Sequence, residues 1–392
     1  MNAHDVSRNA RLYALYLTFR DPIFWGPVLI LSIMRLGKMT LSDIYIMEAI
    51  VLTGFIFLEI PSGALADLIG RKKTIMVGSL FQVASKIVFF QIDCPLDVWI
   101  ANILWMIGAS LSSGADSAFL YDSLKEVGRE GEYKKIEGRA TGNWLILVAI
   151  GSLVTGFLAE YSLRLPMFLS IPGVILSCVA TFFFKEPPAT KKYTPREQVS
   201  IMKMSFLFVV NHKKVKWILG FTTMITVASK IWFFTYNPYF ELVHLDLKYY
   251  GIIFFILNAV AWYFSRYADF FSRKVEEKRI MTIVVALISG PIFFMGSVIS
   301  VFSVGMVFLQ NVVRGFMKPF FGEFLNRHLD SENRATVLSI QSSVSGFGQF
   351  ISLGAFGLLL SAYGLAFSLQ ILGGVVLILG VWCMIAYRRI FM

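Results

Sequence analysis

Arg20 and Asp21, Glu48 and Glu59, Lys86, Asp116, Lys230, and Arg314 with Lys318 each interrupt a long run of apolar residues. At the centre of a bilayer such a charge costs on the order of 3 kcal/mol even on lenient scales, so each needs a partner, a wet cavity or a task. Asp21 and Asp116 are the candidates for proton coupling, because a carboxyl in a low-dielectric cavity holds or releases its proton according to the charges beside it. Arg20, Lys230, Arg314 and Lys318 are candidates for holding an anionic ligand. Arg314 and Lys318 are four apart, share a helix face and together call for a negative partner. Phe24, Trp232 and Tyr236, with Trp25, Trp105, Met106 and Phe233, would suit the apolar part of an amphipathic organic molecule. Each of these residues also has a bland reading, in which the charges pair among themselves and the aromatics pack or face lipid. That reading weighs most for Glu48, Glu59 and Lys86.

The elements that must position these groups are membrane helices. Hydrophobic residues make up 56% of the 392 and charged residues 16%, against roughly 25% charged in a soluble chain. The apolar stretches reach the roughly 20 residues that a helix needs to cross the hydrocarbon core. They predict twelve spans, at residues 12–34, 43–66, 74–93, 98–120, 140–161, 166–185, 216–237, 248–266, 280–299, 304–325, 336–361 and 365–387. On that assignment Asp21 lies about 14 Å from one face and Arg314 about 15 Å from the other, both near the midplane. The first run is too long, and too rich in Arg and Asp, for a cleaved leader.

The loops alternate between nearly uncharged and strongly basic, and about 27 of the 36 Lys and Arg fall on one side. The positive-inside rule then puts the basic loops and both termini in the cytoplasm, most simply of a bacterial inner membrane. The net charge of +11 is accounted for by topology and divided among small loops, so no nucleic-acid partner is expected. Cys94, Cys178 and Cys383 are isolated, and the four histidines have no nucleophile or metal-ligand spacing beside them, so neither a metal site nor an enzyme is indicated. No phosphate-binding glycine loop follows a strand, so no nucleotide cofactor is expected.

The chain divides at its longest connection into residues 1–185, a linker at 186–215 and residues 216–392. The linker's Val199, Met202, Phe206 and Val209 suit a helix lying on the membrane surface. The two larger parts repeat. Ala66, Asp67, Arg71 and Lys72 recur as Ala268, Asp269, Arg273 and Lys274, and Arg139-Ala140-Thr141 recurs as Arg334-Ala335-Thr336. Internal duplication with six spans per half is a transporter plan.

The segment Gly63–Lys73 resembles the signature loop of the major facilitator superfamily, G-x-L-A-D-x-x-G-R-K, at Gly63, Leu65, Ala66, Asp67, Gly70, Arg71 and Lys72. The resemblance implies an all-α membrane protein, two pseudo-symmetric six-helix bundles around a central cavity lined by spans one, four, seven and ten. Gly63 and Gly70 are expected to allow close helix approach and a tight reversal. Asp67 is expected to accept from helix N-terminal amides or a guanidinium, and Arg71 to reach Asp122. These residues, with Lys72, form a conformational latch in this reading; Asp269, Arg273 and Glu323 would be its degraded second copy. The expected function is gradient-driven alternating access: proton-coupled export of a small amphipathic or anionic organic molecule by a monomer. The Gly/Pro-rich fifth span of drug antiporters is only half matched, since Gly151 and Gly156 are present without proline. Proton-coupled uptake of an anionic metabolite is the near alternative. A lipid-moving protein or a non-transporting receptor on the same fold is the more distant one.

Overall fold

A computed structural model describes residues 2–188, 212–327 and 334–391. The surface helix expected at 195–211 falls outside them. Among the described residues the chain is helical apart from turns and short connections. In order the helices are α1 (Ala3–Phe19), α2 (Leu29–Arg35), α3 (Leu41–Ile69), α4 (Arg71–Phe90), α5 (Pro95–Ser112), α6 (Ala115–Lys125), α7 (Tyr133–Tyr161) and α8 (Arg164–Phe182). After the linker come α9 (Lys213–Leu242), α10 (Leu247–Arg266), α11 (Ala268–Lys274), α12 (Glu277–Ser297), α13 (Met306–Asn326) and α14 (Arg334–Phe391). The last is two spans joined at Gly364, whose φ of 73° breaks the helix.

Nine of the described helices are long and apolar enough to cross a membrane, α14 carrying two of the expected spans. The first and tenth expected spans fall short of that test, and both hold charges central to the sequence reading. Two spans expected as continuous are broken. Span one stops at Phe19 and resumes at Leu29, and span four is divided by Ser113 and Gly114. Pro22 and Pro27 explain the first break, since each removes a backbone donor and clashes with the preceding turn. At the second, Gly114 adopts φ 73°, which a side chain would resist.

Packing divides the chain into two units. The first comprises residues 1–40, 50–194 and 247–254; the second comprises 41–49, 195–246 and 255–392. This differs from the simple division of the chain at its linker: the N-terminal ends of α3 and α10 each pack with the unit to which the rest of their helix does not belong. In the first unit α4 and α5 cross closely at Gly78 and Gly108. A Cβ on Gly108 would sit 2.7 Å from the Gly78 carbonyl oxygen, so only glycine permits this approach. Tyr13, Tyr16, Phe119 and Phe184 form an aromatic core among α1, α6 and the end of α8, with Phe119 and Phe184 stacked at 4.4 Å. In the second unit Trp217 of α9 donates its indole N–H to the Cys383 carbonyl at 2.8 Å and packs on Tyr387.

Candidate functional site

In the first unit both broken spans open onto one cavity of about 340 Å³, whose wall includes Arg20, Asp21, Gln82, Trp105, Ser113 and Asp116. Irregular backbone at membrane depth is tolerated where it lines a cavity, because its freed amide groups need polar surroundings. Arg20 Nη1 lies 2.6 Å from Asp116 Oδ2, and Nη2 lies 3.5 Å from Asp21 Oδ2. The sequence reading gives Asp21 and Asp116 to proton coupling and Arg20 to ligand binding; the fold makes them one cluster with two carboxylates sharing one guanidinium. Ser113, at the break, donates to Glu59 Oε1 at 2.7 Å. Lys86 is buried, its ammonium 4.7 Å from the Trp25 ring centre. Phe24 does not line this cavity. Its amide donates to Ser170 Oγ at 3.2 Å and its carbonyl accepts from Thr155, which pins the irregular segment to α7 and α8.

In the second unit α9 and α13 border a cavity of about 820 Å³. Lys230, Phe233, Gln310, Arg314 and Phe321 line it. Arg314 is held by two amide oxygens, Asn311 Oδ1 and Asn258 Oδ1, each at 3.1 Å. Among the described residues no carboxylate pairs with it. Asn311 also donates to Gln310 at 3.1 Å and to the Tyr236 hydroxyl at 3.2 Å, while Tyr236 donates to Gln310. Tyr236 and Trp232 are fully buried behind the wall, so they support the cavity instead of lining it; Phe233 supplies the aromatic face. Lys230 is engaged: its ammonium lies 3.0 Å from Glu48 Oε1 and 4.5 Å from the Phe234 ring centre. The side chain of Lys318 lies outside the described atoms, and α13 continues through Pro319 to Asn326. Asn258, Gln310 and Asn311 went unnoticed in the sequence. Gln310, Asn311 and Arg314 fall at i, i+1 and i+4 of one apolar helix, a polar stripe that was there to be found.

The signature loop forms part of the expected arrangement. Arg71 Nη1 lies 2.5 Å from Asp122 Oδ2, with both side chains largely buried. The amides at the start of α4 are capped by Glu186, not by Asp67: Arg71 N donates to Oε1 at 2.6 Å and Lys72 N to Oε2 at 2.9 Å. A carboxylate fits a helix N-terminus because four amides there lack intrahelical partners and the dipole is positive. Gly70, at φ 99°, turns the chain against this carboxylate. Gly63 makes no close approach, since a Cβ there would meet nothing within 4 Å. The second copy does not assemble as a triad. Arg273 pairs with Asp269 at 2.9 Å, both exposed, whereas Glu323 faces Arg327, which pairs with Glu277 at 2.8 Å.

These features define an all-helical integral membrane protein whose two units each hold a cavity lined by charged side chains, the build of a solute carrier. The chain belongs to the major facilitator superfamily, whose family model matches residues 23–352. It is therefore a secondary transporter, not an enzyme. It is 22% identical over 335 residues to the uncharacterized MFS-type transporter YxaM of Bacillus subtilis (strain 168), covering 83% of this chain and 82% of that one. It is 25% identical over 306 residues to the uncharacterized transporter BU466 of Buchnera aphidicola subsp. Acyrthosiphon pisum, with 75% of each covered. Among solved structures, the nucleoside transporter NupG superposes with a TM-score of 0.76 at 15% identity, over 99% of this chain and all of that one. A D-xylose-proton symporter superposes at 0.70 and 14% identity, over 97% of both. At these identities the solved structures establish the shared fold.

Proposed function

We propose that this transporter carries a small organic anion, or an amphipathic molecule with an anionic group, out of the cell in exchange for protons. The observation that supports this most is Arg314. It stands on the wall of a ligand-sized cavity, oriented by two neutral amides and left with its positive charge uncompensated by any described carboxylate. An uncompensated guanidinium in a low-dielectric cavity is a strong attraction for a carboxylate or phosphate, to which it presents planar paired donors. Phe233 and Phe321 on the same wall suit an apolar body.

The proton site in this reading is the Arg20–Asp21–Asp116 cluster. Two carboxylates share the Arg20 guanidinium, with the Lys86 ammonium near enough to act on Asp21, so the proton occupancy of the cluster depends on how closely these cations are held. Exchange by alternating access follows when proton binding there favours one conformation and solute binding at Arg314 the other, since a ligand shifts an equilibrium only by its differential affinity. Arg71–Asp122, with its Glu186 cap, is the latch on the signature-loop side.

A thermal-shift series on purified protein with aromatic and aliphatic carboxylates tests the ligand class. The expected result is a stabilising hit that Arg314→Ala abolishes. Stabilisation only by uncharged sugars or nucleosides, unaffected by Arg314→Ala, would reject the reading.

A further inference from the structure

On the second unit a crevice of about 510 Å³ runs between α9 and the two spans of α14. Its wall is almost wholly apolar, with Met224, Val227, Ile231, Phe356, Leu372 and Val376 prominent. It shares no lining residue with the Arg314 cavity. At its rim Val375 and Leu379 are about half exposed, so the crevice opens on the outer surface of the helices. That surface faces hydrocarbon in a bilayer, so hydrocarbon is what fills an apolar opening at this depth.

The α9 stripe that lines the crevice continues, towards the start of the helix, into Lys216 and Lys213, which lie four and seven residues before Gly220 and therefore on its face. On the last span Val375, Trp382 and Arg389 are spaced seven apart and share a face in the same way. Lys213, Lys216 and Arg389 are exposed, and among the described residues none has a carboxylate partner. Trp217, Tyr387 and Phe391 pack together beside these cations, with the Lys214 ammonium over the Phe391 ring at 5.6 Å. Exposed Lys and Arg grouped at helix ends mark the headgroup level. At 1.5 Å per residue, Gly220 is about 6 Å and Ile231 about 22 Å deeper than Lys216. A lipid with its phosphate at the cations thus has its acyl chain at the depth of the crevice.

We infer that this crevice and its basic rim form a binding site for one anionic phospholipid, the phosphate held by Lys213, Lys216 and Arg389 and one acyl chain seated between α9 and α14. The lipid is a resident ligand of the carrier, separate from the cargo site, and the inference does not rest on the transport reading above. Basic residues between helices on a charged membrane face are suited to such headgroups, and the crevice volume lies within the roughly 300–1,000 Å³ of ligand sites.

Native mass spectrometry of delipidated protein, titrated with phosphatidylglycerol or with phosphatidylcholine of the same chains, tests it. Wild type is expected to retain one phosphatidylglycerol at least fivefold more tightly than phosphatidylcholine. Combined Lys213→Gln, Lys216→Gln and Arg389→Gln should remove that preference. Ala355→Phe, which fills the crevice, should weaken both lipids; Val375→Trp replaces it if that variant does not fold. Equal retention of the two lipids by wild type would overturn the site. So would undiminished retention of phosphatidylglycerol by the filled variant, which would mean that the cations attract lipid without a seated chain.

Discussion

The ammonium of Lys230 lies 3.0 Å from a carboxylate oxygen of Glu48, although the two residues come from the second and seventh predicted spans. Both belong to the second packed unit, because residues 41–49 of α3 pack there. Tyr45, one turn earlier, donates to the Ile231 carbonyl, and Ser42 donates to the Gly357 carbonyl at 2.6 Å. This end of α3 is thus fastened to α9 and α14 by one ion pair and two hydrogen bonds.

If that pair is a structural tie, neither residue tolerates losing the other. Glu48→Gln and Lys230→Met should each lower stability by about 1–3 kcal/mol, the cost of leaving a partly buried partner unsatisfied. The double variant should recover most of the loss, since removing both charges removes the desolvation penalty. A double-mutant cycle read by thermal unfolding in detergent checks it. Additive losses would show that Lys230 acts independently of Glu48.

Gly63 and Gly70 belong to one signature loop but should respond differently to alanine. At Gly70 a Cβ would lie 2.8 Å from the Glu186 carboxylate carbon, with φ at 99°, and strain at such a backbone position costs on the order of 1–3 kcal/mol. Gly63 sits within α3 with open space around it, and its replacement should be neutral or stabilising by up to about 1 kcal/mol. Melting temperatures of the two variants, with transport measured beside them, separate the positions.

Arg71 and Asp122 form a largely buried pair. Asp122→Asn should destabilise by about 3–5 kcal/mol, as when one partner of a buried pair is removed. Glu186→Gln removes only the charge from a helix cap and should cost about 1 kcal/mol or less. Thermal unfolding of the two variants should rank them in that order. The reverse ranking would place the weight of the loop on the linker side.

Asp5 gives a pH dependence outside the membrane. The Lys185 ammonium, 2.6 Å away, holds its carboxyl below the usual range, and the Asn2 amide at the start of α1 adds to this. A depressed folded value means stability that is present above the unfolded value of about 3.9 and lost as pH falls through the folded one. Asp5→Asn should therefore melt lower than wild type at pH 7, with the gap closing as pH drops below 4. A gap that widened in acid would contradict this pairing.

The fold was legible because bilayer thickness forces long apolar runs, and the signature loop identified how they are arranged. Arg71–Asp122 could be read from that loop plus a carboxylate at the end of the fourth span. The breaks at Arg20–Val28 and Ser113–Gly114 were written in Pro22, Gly26, Pro27 and Gly114 but were masked by the hydrophobicity around them. Glu186 looked like the first residue of a linker, because nothing local reveals that α8 ends beside α4. The Glu48–Lys230 pair was out of reach for the same reason: the packing of α3 against α9 is a tertiary fact with no periodic signal. Asp67 and Asp269 match in sequence, but similar spacing does not transmit similar pairing when Arg273 lies on an exposed short helix.

Proton exchange for an organic anion is tested most directly in proteoliposomes that are acidic inside and loaded with a pH-sensitive dye. The substrate is the carboxylate that stabilises wild type but not Arg314→Ala. Its addition outside should raise the lumenal pH as labelled solute accumulates, and the combined Asp21→Asn and Asp116→Asn variant should lose the pH change. Solute entry that left the lumenal pH unmoved, acidified the lumen, or raised its pH equally in that variant would contradict the account.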